Sequence, residues 1–173
     1  MSKLLILCAL KEELPPEKNI YKDITFYTGM GKKNTLDKLA EILDNMPVGE
    51  IVNYGTAGSC NMSISGLVEC GIFFKRNDIS QQLQNNPIVI NSDKHIIATG
   101  DTFVTNKIIG CDLVDMEAYH IAQTCQKYRL KFQCYKYISD YVNSSSQVDW
   151  EKNISKGYPL FLEKINDYIK NSI

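Results

Sequence analysis

Leu4–Leu10 is an unbroken apolar run of strand length, the pattern of a strand covered on both faces. Lys11-Glu12-Glu13 follows with no small-residue cleavage site, so the run predicts a first strand and not a signal peptide. Pro15-Pro16 breaks the chain, and Ile24–Thr28 predicts a second short strand. After the turn Gly29-Met30-Gly31, the residues Leu36, Leu39, Ala40, Leu43 and Met46 recur at helical spacing. They predict a helix over Lys32–Met46 that Pro47 ends. Glu50–Tyr54 predicts a strand running into the small residues Gly55-Thr56-Ala57-Gly58-Ser59, and Leu67–Phe74 predicts another. Arg76–Pro87 is polar and unpatterned, a loop by composition. Ile88–Ile90, His95–Thr99 and Asp112–Asp115 predict short strands, and Gly100-Asp101-Thr102 a turn. Glu117–Tyr128 predicts a helix with Ile121, Ala122 and Cys125 on one face. Phe132–Ile138 predicts a strand, and Ser144-Ser145-Ser146 a loop. From Trp150 to Ile173 an apolar stripe of Tyr158, Phe161, Leu162, Ile165, Tyr168 and Ile169 predicts a helix, broken near Gly157 and Pro159. Strands alternating with helices, with no linker and no repeat, predict one α/β domain over 1–173 with a mostly parallel or mixed sheet.

Composition narrows the function. With 173 residues, 44% hydrophobic and 23% charged, the chain is globular and not disordered. Its net charge is −1, and Arg76 and Arg129 are its only arginines. That balance disfavours nucleic acid and bidentate phosphate recognition. No apolar run reaches the ~18–20 residues of a membrane span. The six cysteines form no C-x-x-C pair and lie mostly in apolar segments, which predicts free thiols in a reducing, cytoplasmic setting. His95 and His120 belong to no metal-spaced cluster, so neither a metal nor another cofactor is expected.

Ligands of open α/β sheets gather at the carboxyl ends of strands. Four polar clusters fall at such places: Glu12-Glu13, Thr56-Ala57-Gly58-Ser59, Met116-Glu117 and Ser139-Asp140. Gly58 among small residues lets backbone approach a ligand. Glu13, Glu117 and Asp140 would face one crevice, and acids there suit sugar hydroxyls and proton transfer. Each also has a plainer account. Glu12-Glu13 can be a solvated turn, Glu117 a complement to a helix dipole, and Asp140 or Ser139 an N-cap. Gly29-Met30-Gly31-Lys32 has neither dinucleotide-binding nor P-loop spacing.

The order of these pieces is more telling. Ala9-Leu10-Lys11-Glu12-Glu13-Leu14, Gly29-Met30-Gly31-Lys32 and Asn53-Tyr54-Gly55-Thr56-Ala57-Gly58 come first. Thr99-Gly100-Asp101-Thr102-Phe103-Val104, Val114-Asp115-Met116-Glu117-Ala118 and Ile138-Ser139-Asp140 follow. In this order the chain resembles the nucleoside phosphorylase/nucleosidase superfamily, and within it the 5′-methylthioadenosine/S-adenosylhomocysteine nucleosidases. The resemblance implies a three-layer α/β fold, with a central mixed, partly closed sheet flanked by helices. It implies cleavage of a purine N-glycosidic bond by a homodimer that pairs partly through the helix over Lys32–Met46.

Roles follow from the same resemblance. Asp140 matches the acid that protonates purine N7, and Glu13 the carboxylate that activates water. Glu117 matches the carboxylate that grips the ribose hydroxyls, with Met116 beneath the sugar. Phe103 matches the aromatic that stacks on the base, and the Val104 backbone its edge contacts. Thr56, Ala57 and Gly58 match the loop lining the ribose and the water, Ser139 stands beside the acid, and Trp150 matches an aromatic closing the pocket.

Two departures matter. The chain is shorter than usual members around Arg76–Ser92, where the family has an excursion reaching the neighbouring subunit. Lys136 stands where the family has an arginine near the water-activating carboxylate. Phosphorylases of the superfamily carry an arginine where this chain has Asn53, so water is the expected nucleophile. A purine nucleoside phosphorylase and a nucleoside-binding protein without turnover are the alternatives.

Overall fold

The computed structural model describes residues 3–172. β1 (Lys3–Cys8) pairs in parallel with β2 (Thr25–Tyr27) and with β3 (Val48–Ser59). Between β2 and β3 runs α1 (Gly31–Asn45), ended at Met46 before Pro47 as the sequence predicts. β4 (Leu67–Lys75), β5 (Ile88–Val89), β6 (His95–Thr99) and β7 (Leu113–Asp115) follow. Then come α2 (Ala118–Tyr128), β8 (Lys131–Tyr141), α3 (Ser146–Asn153) and α4 (Tyr158–Asn171). Ile173, the end of the predicted terminal helix, lies outside the described residues.

The strands form one eight-stranded mixed sheet. Part of it closes on itself: β3 pairs with β8, β8 with β4, β4 with β6, β6 with β7, and β7 returns to β3. Alternation along β1 divides the core. Leu5 and Leu7 pack with Leu39 and Ile42 of α1 and with Ile121, Ala122 and Cys125 of α2. Ile6 and Cys8 pack on the other face with Tyr54, Phe161 and Ile165. Burial on both faces is why β1 reads as a continuous apolar run. Phe161 stacks on Tyr54 with ring centroids 4.3 Å apart and anchors α4. A fully buried side chain of this size contributes roughly 1.5–3 kcal/mol.

Three elements differ from the pattern-based expectation. Gly55–Ser59 is not a loop after a strand but the second half of β3. It pairs with Lys136–Tyr141 of β8 on one side and, at Gly58 and Ser59, with β7 on the other. Ser139 and Asp140 likewise lie inside β8, which runs on to Tyr141. Helix α3 begins at Ser146, within the serine run, and carries Trp150 at its centre. In the first two, long-range pairing, absent from any local pattern, overrides the loop-like composition. Among the described residues no helix is long and apolar enough to cross a membrane.

Candidate active site

A cleft opens at the end of the closed part of the sheet. Glu13, Thr56, Ala57, Gly58, Phe103, Val104, Met116, Glu117, Ser139, Asp140 and Trp150 all line it. The structure thus brings together the residues to which the resemblance gives roles, across a span of more than a hundred positions. Glu12 and Ser59, named beside them in the sequence, do not line it.

Glu13 leaves β1 on a short turn and is 4% exposed. Its Oε1 accepts from the Thr56 backbone N–H at 2.8 Å and from the Thr56 hydroxyl at 2.7 Å. Its Oε2 accepts from the Leu10 N–H at 3.2 Å and the Cys8 thiol at 3.5 Å. A solvated turn does not hold a carboxylate this way. Trp150 Nε1 donates to the same Thr56 hydroxyl at 2.9 Å, tying α3 to the Glu13 network. The edge of Trp150 meets Phe103, with centroids 5.5 Å apart.

Asp140 is placed by a bulge. Ala57 pairs with Ile138 but Gly58 with Asp140, so Ser139 is the extra residue of β8. Bulges of this kind re-aim neighbouring side chains. The Ser139 hydroxyl donates to Asp140 Oδ1 at 2.7 Å. A Cβ at position 58 would lie 2.9 Å from Asp140 Oδ2, so glycine is what lets this carboxyl lie against β3. Burial pushes the Asp140 carboxyl up, and hydrogen bonds from Ser139 and Ser146 only partly offset it. Neither Asp140 nor Ser139 caps a helix.

Glu117 does not complement its own helix. That task falls to Asp115, whose Oδ2 accepts from the N–H groups of Glu117 at 3.2 Å and Ala118 at 2.8 Å. The Glu117 carboxylate instead accepts from the Gly31 N–H at 2.9 Å, at the start of α1. Asp115 also forms a buried ion pair with Lys136, Nζ to Oδ2 3.0 Å, both side chains 1% exposed. Burial alone would lower the lysine and raise the aspartate. Their mutual attraction wins, holding Lys136 well above and Asp115 below their ordinary values. Gly55 makes room for this cation beside Glu13: a Cβ there would lie 3.2 Å from Lys136 Nζ and 3.4 Å from Glu13 Oε1. Burial, with the Asp115 and Glu13 charges adding to it, pushes Glu117 up to about 8.

This carries a stability prediction. A carboxyl raised from 4.5 to about 8 by folding stabilises the fold below 4.5 and loses that contribution as pH rises through about 8. Glu117→Gln, neutral at every pH, is expected to melt above the wild type at pH 8.5 by at least about 3 °C. At pH 5 the two should melt together. Thermal scans across pH check it, and equal slopes for both proteins would contradict it.

Among the further lining residues two are charged, Asp115 and Arg76, and neither was expected at the site. Asp115 sits inside a quoted motif, and an acid at a strand end before a helix was its available signal. Arg76 falls in the stretch composition marks as loop, yet it is 2% exposed and lines the cavity. Among the described residues no cluster of three or more His, Cys, Asp or Glu could hold a metal ion.

No protein-family model and no curated protein matches the chain. Solved structures do match, over nearly the whole of both chains. Futalosine hydrolase of Helicobacter pylori strain 26695 superposes at TM-score 0.84, 17% identical, covering 98% of each chain. The Helicobacter pylori 5′-methylthioadenosine/S-adenosylhomocysteine nucleosidase, with butyl-thio-DADMe-Immucillin-A, superposes at 0.83, 18% identical, covering 99% of each. The Colwellia psychrerythraea 34H nucleosidase, in complex with adenine, superposes at 0.76, 20% identical, covering 91% of this chain and 90% of that one. The chain has the fold of these nucleoside hydrolases. Within that fold the likeness extends to both the futalosine and the methylthioadenosine/S-adenosylhomocysteine enzymes.

Proposed function

We propose that this cavity hydrolyses the N-glycosidic bond of a purine nucleoside, of the 5′-methylthioadenosine/S-adenosylhomocysteine type. The observation that carries the reading is the convergence of Glu13, Glu117 and Asp140, all buried, in one cavity with an aromatic wall. The fold shared with nucleosidases, one of them solved with adenine, supports it.

The three acids suit three tasks. A purine leaving as an anion is a poor leaving group, so a proton at N7 lowers the barrier. Asp140, raised by burial, holds such a proton towards neutral pH better than an exposed aspartate. Glu13 is fixed by four donors beside Thr56 and is placed to take a proton from attacking water. Glu117 accepts the sugar hydroxyls. Burial pushes its carboxyl up, and two hydroxyl donors would favour its charged form. The oxocarbenium-like sugar that forms is stabilised by these carboxylates at short range.

Water is favoured over phosphate because the cations near the site already have partners. Lys136 pairs with Asp115, and Arg76 with Thr102, Asp78 and Gln81. Asn53, at the place of a phosphorylase arginine, is buried with its amide on the Leu7 carbonyl at 3.1 Å.

Base release from 5′-methylthioadenosine, S-adenosylhomocysteine, adenosine, deoxyadenosine and inosine, with and without phosphate, tests this. Adenine from the 5′-thio nucleosides irrespective of phosphate is expected. Release only with phosphate would favour the phosphorylase, and tight binding without release the binding protein. The same reading includes a homodimer paired partly through α1, where Leu36 and Leu43 line a groove against Tyr128 of α2. A dimeric mass by light scattering at micromolar concentration is expected, and a monomeric mass would refute pairing.

A further inference from the structure

The stretch that reads as an unpatterned loop closes tightly on itself beside the cavity. Arg76 and Leu83 form an antiparallel bridge. The Asn77 N–H donates to the Gln82 carbonyl at 2.9 Å, and the Gln81 N–H to the Asn77 carbonyl at 2.8 Å. Arg76 is the buried centre of this turn. Its Nη1 donates to Gln81 Oε1 at 2.9 Å, Thr102 Oγ1 at 3.2 Å and Asp78 Oδ1 at 3.3 Å. Its Nη2 donates to the Thr102 carbonyl. Asp78 in turn accepts the Asp101 N–H at 2.7 Å, and Gln81 Nε2 donates to Thr102 Oγ1 at 3.3 Å.

One turn therefore grips two backbone groups and a hydroxyl of Asp101-Thr102. Gly100 permits the approach: a Cβ there would lie 2.5 Å from Asp78 Oδ1 and 2.7 Å from Arg76 Cζ. The residues that follow belong to no helix or strand until β7, so no backbone ladder fixes them. Val104 is held by an apolar cluster of Cys60, Ile108 and Val114. Phe103 lies between these two anchors and faces the cavity, 38% exposed.

We propose that Arg76 is the positioning residue of the base-reading segment. Through Asp78 and Gln81 it fixes Thr102, so that the Phe103 ring and Val104 backbone meet the base. It thereby sets affinity for the base and not the rate of bond breakage. The proposal rests on the nucleosidase reading for what the segment binds, but the grip itself does not. A planar guanidinium reaches the carbonyl and the hydroxyl of one residue together, which a lysine ammonium cannot do with the same geometry.

The test uses Arg76→Met, Arg76→Lys and Asp78→Ala in the full chain, with two readouts. Hydrogen–deuterium exchange reads the grip, and steady-state kinetics with adenine binding, followed by Trp150 fluorescence, reads its consequence. In Arg76→Met, exchange at the Asp101 N–H, which Asp78 holds at 2.7 Å, should accelerate while β6 and α2 stay protected. KM and the adenine Kd should rise about tenfold or more, as expected for losing two or three hydrogen bonds. kcat should stay within about threefold, the mark of lost ground-state binding. Arg76→Lys should not restore affinity. Asp78→Ala, on the exposed side of the turn, should show the same pattern more weakly and carries the test if Arg76→Met does not fold. Unchanged exchange at the Asp101 N–H would overturn the proposal. So would a fall in kcat with KM unchanged, or full rescue by lysine. A wild type that neither binds nor releases adenine would refute the nucleosidase reading, and the exchange measurement alone would then decide the grip.

Discussion

Asp140→Asn is expected to lower kcat by about 10²–10⁴, the range that general acid catalysis contributes. Affinity for adenine nucleosides should stay within about threefold, because the interaction lost is made mainly as the bond breaks. The amide keeps the shape of the carboxyl and can still donate to N7, but it has no proton to deliver. The Ser139 hydroxyl, which now donates to Asp140 Oδ1 at 2.7 Å, keeps an acceptor in the variant. The bulge at Ser139 and the close approach over Gly58 are therefore undisturbed. Single-turnover base release beside a binding isotherm separates the two quantities. A variant turning over at near wild-type rate would refute Asp140 as the acid.

Lys136→Met is expected to destabilise the fold by about 3–5 kcal/mol, the usual cost of removing one partner from a buried ion pair. Lys136 is the fully buried cation beside Asp115, and Glu117 and Glu13 add to its environment. Without it, Asp115 must either keep an unpaired charge or take up a proton. The second choice weakens an acceptor that holds Thr99, Glu117 and Ala118 in place. The double variant Lys136→Met/Asp115→Asn removes both charges and keeps the cap acceptor, so it should recover part of the loss. Urea unfolding of the wild type and both variants measures this. A single variant within about 1 kcal/mol of wild type would contradict a buried Lys136 paired with Asp115.

Much of the fold was legible where local pattern and tertiary role agree. The helix over Lys32–Met46, the strand His95–Thr99 and the break before Tyr158 are where periodicity and breakers put them. The strand extensions were not legible. Gly55–Ser59 and Ser139-Asp140 are small and polar, and their strand conformation comes from ladders to residues some eighty positions away. No local rule encodes the bulge that aims Asp140. The candidate site was legible in its acids and aromatics because their order resembles that of a known family. Glu117 shows where a bland account had the right physics on the wrong residue: the helix is capped, but by Asp115. Arg76 was illegible because a buried guanidinium in a polar loop has no signature in composition. Only the folded turn shows which carbonyl it holds.

The most direct test is a time course with purified protein and 5′-methylthioadenosine in phosphate-free buffer. Adenine and free 5-methylthioribose in equal amounts, over many turnovers and at a rate unchanged by added phosphate, are the predicted result. Nucleoside bound for hours with no adenine formed, or a sugar 1-phosphate formed only when phosphate is supplied, would contradict the account.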